Sequence, residues 1–214
     1  MRSTFTKWFI AIIILAIVGV CFFVFFGLHK PAEIKPVSNS SPNSIYKVIG
    51  ASVEGRKIES YTYGNGEKLL VFVGGMHGGY EWNSVLLAYQ FMDYLDKNPG
   101  IIPSDLTITV IPDINPDGVF AVTGKVGRFA TSDVSTSTPI LVAGRFNADG
   151  VDLNRNFDCK WKSKSVWQSK TVNAGVAPFS EPETMALKNF ILQNNTNNNI
   201  KAVVTDVNRA SINV

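Results

Sequence analysis

Histidine and cysteine are scarce in this sequence, with two of each among 214 residues. The cysteines, Cys21 and Cys159, stand far apart, and Cys21 lies inside an apolar run. A disulfide framework is therefore excluded as the organiser of the fold, and cysteine usage says nothing about redox compartment. Basic clusters are missing as well. The formal net charge is only +3, and the lysines and arginines are scattered. Nucleic-acid binding needs a concentrated basic face, so that class of partner is excluded too. No internal repeat is present, and the Asn-rich stretch at 194–199 is a short polar loop rather than a low-complexity domain.

Charge is also absent from residues 8–28, an apolar run of 21 residues. At about 1.5 Å per residue, a helix of that length spans roughly 30 Å, the thickness of a bilayer's hydrocarbon core. Arg2 and Lys7 precede the run, and Lys30 and Lys35 follow it. The expectation is a cytoplasmic N-terminus at 1–7, a single-pass transmembrane anchor at 8–28, and a body on the extracytoplasmic side of the cytoplasmic membrane. The alternative is a cleaved signal peptide and a secreted body. Against it, the run is longer than a usual signal core and no small-x-small cleavage site follows. Residues 29–44, rich in Pro, Ser and Asn, read as a spacer.

Beyond the spacer, strand and helix patterns alternate. Residues 46–52 and 57–63 read as short strands around a Glu54-Gly55 turn. The apolar run at 69–73 suits a strand buried on both faces. Residues 82–95 carry apolar positions at helical spacing, and 106–111 form another strand closed by Pro112. Ser180 to Glu183 has the form of a capping box, with Leu187, Phe190 and Ile191 continuing one helical face. Residues 200–205 read as a last strand. The pattern predicts an α/β fold with a mixed, largely parallel sheet flanked by helices, occupying 45–205. Ligands in such sheets gather at the carboxyl ends of the strands.

Three segments carry chemistry. GGMHGGYEW places His77 and Glu81 just after the 69–73 strand, where a histidine and a carboxylate can supply two ligands to zinc. Read alone, the pair is as easily a polar loop contact. Asn-Pro-Asp-Gly at 115–118 is ordinary turn chemistry by default. GRFNADGVDLNRNF at 144–157 sets Arg145, Asn154 and Arg155 close to two aspartates. Guanidinium groups beside an amide suit a carboxylate ligand through paired hydrogen bonds. The competing reading is a surface loop with salt bridges to Asp149 and Asp152.

Together, the order and wording of these segments, with FSEPET at 179–184, resemble the zinc carboxypeptidase family typified by carboxypeptidase A. The resemblance runs from about residue 46 to 204. It implies a carboxypeptidase-like fold, one zinc ion and a peptide substrate with a free C-terminal carboxylate, including peptides of the cell wall. It implies that His77 is the first zinc ligand and Glu81 the second. Asn154 and Arg155 would grip the substrate carboxylate, and Arg145 would polarise the scissile carbonyl and stabilise its oxyanion.

The pattern also departs from the family's. Three residues separate His77 from Glu81, where two are commoner. The third zinc ligand is expected just after the 200–205 strand, where Val207 stands. Asp206 is disfavoured as a substitute, since adjacent strand residues face opposite ways. The expectation is thus a C-terminally incomplete member with a non-family tail at 206–214 and an inactive centre. The alternatives are a non-catalytic binder of peptide C-terminal carboxylates, or a related zinc amidase or deacylase.

Overall fold

The computed structural model describes residues 43–205 and the backbone of 211–212. The anchor expected at 8–28, nearly all of the spacer and the 206–210 stretch of the tail lie outside the described residues. Among the described residues, no helix is long and apolar enough to cross a membrane.

The core is one six-stranded sheet in the order β1-β2-β4-β3-β7-β8. β1 (Ile45–Ala51) and β2 (Lys57–Gly64) form the expected antiparallel hairpin. Its turn closes where Ser52 N–H donates to the Arg56 carbonyl at 2.8 Å, with Gly55 at φ +78°. β4 (Leu106–Ile111) pairs antiparallel with β2 and parallel with β3 (Lys68–Val73). β7 (Ile200–Thr205) runs parallel to β3 on its other side, and β8 (Ser211–Ile212) pairs antiparallel with β7. The sheet is mixed, as expected, but its parallel part is confined to the central β4-β3-β7.

The two-faced burial read from 69–73 is observed. Val71 and Val73 pack with Leu187, Phe190 and Val203 on one face, together with helix α4 (Pro182–Asn194). The alternate residue Phe72 packs against the opposite cluster of Val85, Ala88, Met92 and Val110, which contains helix α1 (Trp82–Lys97). Period-two alternation along the strand therefore serves two helices, one per face.

Two local expectations fail, each for a capping reason. Asn-Pro-Asp-Gly is not an isolated turn; it starts helix α2 (Pro116–Thr123). The Asn115 side chain accepts from Gly118 N–H at 3.0 Å, and Pro116 occupies the first helical position, where its missing N–H does no harm. The capping box at 180–183 does not form. The α4 cap residue is Glu181, without a side-chain capping bond. Ser180 Oγ instead donates to Glu181 Oε1 at 2.7 Å, and Glu183 accepts from Val53 N–H at 3.1 Å. The glycine-rich region holds a short helix α3 (Thr138–Ala143) and a 3-10 turn, Leu153–Arg155. After it comes a hairpin of β5 (Lys164–Trp167) and β6 (Lys170–Asn173), which the residue pattern did not announce.

Candidate functional site

The chains leaving β3 and β4 stay bonded to each other: Gly74 N–H donates to Ile111 O at 2.9 Å, and Ile114 N–H to Gly74 O at 3.0 Å. This fixes the start of the 74–81 loop at the carboxyl end of the parallel strands, where a ligand site belongs. Gly75 has φ +72°, and a Cβ there would meet Asp113 Oδ1 at 2.6 Å. Gly79 passes so close to Gly144 that a Cβ would lie 2.5 Å from the Gly144 Cα. Only glycine fits such approaches.

The three residues between His77 and Glu81 are absorbed by one helix-like turn, in which Glu81 N–H donates to His77 O at 2.8 Å. His77 and Glu81 thereby face each other, with Nδ1 3.1 Å from Glu81 Oε2. The other ring nitrogen, Nε2, lies 3.0 Å from Asp152 Oδ1. His77 is only 3% exposed and Asp152 is fully buried at 0% on its side chain. Donation of Nε2–H to Asp152 leaves the Nδ1 lone pair aimed at a carboxylate, so the gap calls for a cation or a second proton. Burial lowers the basicity of His77, but the bonds to Asp152 and Glu81 outweigh it and leave the pKa raised. Asp152 is held below its ordinary value: burial raises it, and His77 and Arg145 more than reverse that.

Arg145, 3% exposed, completes the cluster. Its Nε and Nη2 both donate to Asp152 Oδ2, at 3.1 and 2.8 Å. Its guanidinium lies 4.3 Å from the Trp167 ring centroid and 5.9 Å from that of Tyr80. The surface-loop reading of this segment is thus corrected: the Arg145–Asp152 pair is buried, and Asp152 is the hub joining the arginine to the histidine. A carboxylate flanked by the burying residues Val151 and Leu153 was the available signal for it.

The 3-10 turn sorts the Asn-Arg-Asn run by direction. Asn156 points inward at 0% exposure; its amide donates to Ala174 O and Ala177 O, and its Oδ1 accepts from Thr184 Oγ1 at 2.6 Å. That ties the turn to the start of α4. Asn154 is exposed and Arg155 half-buried, and both line a cavity of 590 Å³ whose walls include Met76, Phe157, Trp161 and Phe179. Arg155 makes one long bond, Nη1 to Asn154 O at 3.4 Å, so its guanidinium remains available for a ligand.

Zinc ligands at about 2.0–2.2 Å in a tetrahedron stand roughly 3.3 Å apart. The 3.1 Å between His77 and Glu81 fits two corners of such a site, and the Asp152–His77 bond is the usual outer support of a ligating histidine. A third corner is not found: no group of three His, Cys, Asp or Glu among the described residues could hold a metal ion. Val207, where the sequence places that ligand, and Asp206 lie outside the described residues.

A family model for zinc carboxypeptidases matches residues 32–209. The chain belongs to the zinc carboxypeptidase family. It is 25% identical to the gamma-D-glutamyl-L-diamino acid endopeptidase 1 of Lysinibacillus sphaericus over 76% of this chain and 46% of that protein. It is 32% identical to mouse mast cell carboxypeptidase A over 73% of this chain and 38% of that protein. The chain thus spans less than half the length of these two curated relatives. Among solved structures of the fold, bovine thrombin-activatable fibrinolysis inhibitor superposes with a TM-score of 0.55 at 23% identity, covering 77% of this chain and 53% of that one. The murein-tripeptide amidase of Escherichia coli O157 gives 0.50 at 25% identity over 75% of this chain and 59% of that one. The zinc carboxypeptidase fold explains why residues far apart in sequence, His77 and Asp152, meet at one strand end.

Proposed function

We propose that this chain belongs to a zinc metallocarboxypeptidase acting on the C-terminal residues of peptides, wall peptides among them, on the outer side of the cytoplasmic membrane, with residues 8–28 as a single-pass anchor. The observation that carries the reading is the pairing of Asn154 with Arg155 on the wall of the 590 Å³ cavity, the guanidinium uncommitted to any acid among the described residues. A planar guanidinium beside an amide matches a carboxylate through charge-assisted hydrogen bonds. His77 and Glu81 would hold zinc, which in such enzymes activates a water molecule. Among the described residues, these are the two ligands that the geometry brings together.

Calorimetric titration of the full chain with N-acetyl-Phe-Phe tests the grip. Arg155→Ala, or amidation of the peptide's C-terminus, is expected to weaken binding by about tenfold or more. Equal binding of acid and amide sinks the reading. Zinc analysis of the same preparation is expected to give weak binding that His77→Ala abolishes. Tight stoichiometric zinc would show that another group completes the centre.

A non-catalytic carboxylate binder shares this clamp and differs only in having no use for zinc. The Asn154–Arg155 pair on the cavity wall supports it as the second reading.

A further inference from the structure

The role of the β5–β6 hairpin is not explained by the clamp or by the zinc ligands. Its tip turns through two successive left-handed residues, Gln168 (φ +48°) and Ser169 (φ +62°), neither of them glycine. Such a turn twists a two-residue hairpin correctly but is strained for ordinary side chains, so contacts at the tip must hold it. Those contacts all reach the site. Trp167 packs edge-on against Tyr80 (5.1 Å, 84°) and against Phe146 (6.4 Å, 85°), and Gln168 Nε2 donates to Tyr80 OH at 3.3 Å. Tyr80 stands between His77 and Glu81 in the chain, and Phe146 follows Arg145. The hairpin tip therefore clasps both loops that carry site residues.

The geometry at Arg145 shows why a clasp is needed. A guanidinium that donates two parallel bonds to the two oxygens of a carboxylate is fixed in plane and direction. Arg145 has no such partner. Oδ1 of Asp152 is occupied by His77, and both Arg145 bonds converge on the single oxygen Oδ2. Two bonds to one atom leave the group free to pivot about that oxygen. The indole of Trp167, 4.3 Å from the guanidinium carbon, covers one face and removes the pivot. Nη1 is then the remaining edge, with no hydrogen-bond partner among the described residues.

We infer that Trp167 is the positioning residue for Arg145: its indole, acting with Asp152, aims Nη1 at the oxygen of the bound peptide that becomes negative during attack. The inference rests on the carboxypeptidase reading above and adds to it a residue outside the family's wording. Trp167 touches no substrate; it acts through Arg145.

The test uses the full chain, with a chelator present so that the anion meets protein groups alone. Binding is measured for N-acetyl-Phe-Phe and for its phosphinate isostere, in which a tetrahedral anion replaces the scissile amide. The wild-type chain is expected to bind the phosphinate more tightly than the peptide. Trp167→Ala and Trp167→Leu are expected to erase that gain, roughly tenfold, while weakening peptide binding much less. Trp167→Phe is expected to keep most of it. A merely space-filling role predicts rescue by leucine, so rescue by leucine overturns the inference. So does an intact gain in Trp167→Ala, or no gain in the wild-type chain. Failure of the underlying reading looks different: Arg155→Ala would then leave the binding of both ligands unaltered.

Discussion

Asp152→Ala is expected to destabilise the chain by about 3–5 kcal/mol, because it strands a buried cation. Arg145 and Asp152 have side chains 3% and 0% exposed, and both Arg145 bonds end on this one carboxylate. Removing it also takes the Nε2 partner from His77, so the ring loses the bond that fixes its tautomer and orientation. Urea unfolding of the full chain gives the first number. The double variant Asp152→Ala, Arg145→Met gives the control, since replacing a buried pair by apolar groups is far milder than breaking it. Recovery of at least half the loss in the double variant identifies the stranded guanidinium as the cause. A single variant within about 1 kcal/mol of wild type would mean that the hub does not hold the site together.

Asp113→Asn is expected to act in the opposite direction, stabilising the chain at alkaline pH. Asp113 sits 7% exposed beyond β4, and burial pushes its carboxyl up to about 8, with Asp117 and Glu59 adding to the rise and the Asn115 N–H opposing it. In the unfolded chain the group titrates near the ordinary value of 3.8. Between those two values the folded state holds a proton that the unfolded state has released. Stability from this group is therefore fully present below about pH 4 and is lost as pH rises towards 8. An asparagine keeps the acceptor for the Asn115 N–H, 3.1 Å away, and has no proton to lose. The variant's advantage over wild type should be smallest near pH 4, already measurable at pH 5, and should grow by on the order of 4 kcal/mol between pH 5 and pH 8.5. Parallel unfolding curves at both pH values would show that Asp113 is not charged at the cost of the fold.

Where the chain's pattern is periodic, sequence and structure agree. The 69–73 run, the 82–95 helical face and the 106–111 and 200–205 strands all sit within a residue or two of β3, α1, β4 and β7. Apolar spacing is enough there, because each element must bury a face whatever its neighbours. Agreement ends where a hydrogen bond decides. Ser180 and Glu183 have the right spacing for a capping box, yet Glu183 is drawn to the Val53 N–H and Asn147, so the box stays open. Asn115 looked like a turn residue and became a helix cap because Gly118 N–H lay within its reach. The β5–β6 hairpin was invisible because Gln168-Ser169 is no customary left-handed turn pair; pairing and tip contacts impose it.

The candidate site divides in the same way. Local wording named His77, Glu81, Arg145, Asn154 and Arg155, and the hairpin, strand and helix periods placed them on an α/β scaffold. Local order even set the outward direction of Asn154 and Arg155, since a single 3-10 turn does so within the segment itself. What the sequence could not contain is the choice among partners. Asp152 could have joined Arg155, a lysine or solvent; the tertiary structure gave one oxygen to His77, 75 residues away, and the other to Arg145. That division also left Arg145 in need of the Trp167 face. Such choices follow from which chain segments the sheet brings to the same strand end, and a buried charge then takes whichever partner is within reach, because leaving it alone in a low-dielectric interior costs more than any local preference can return.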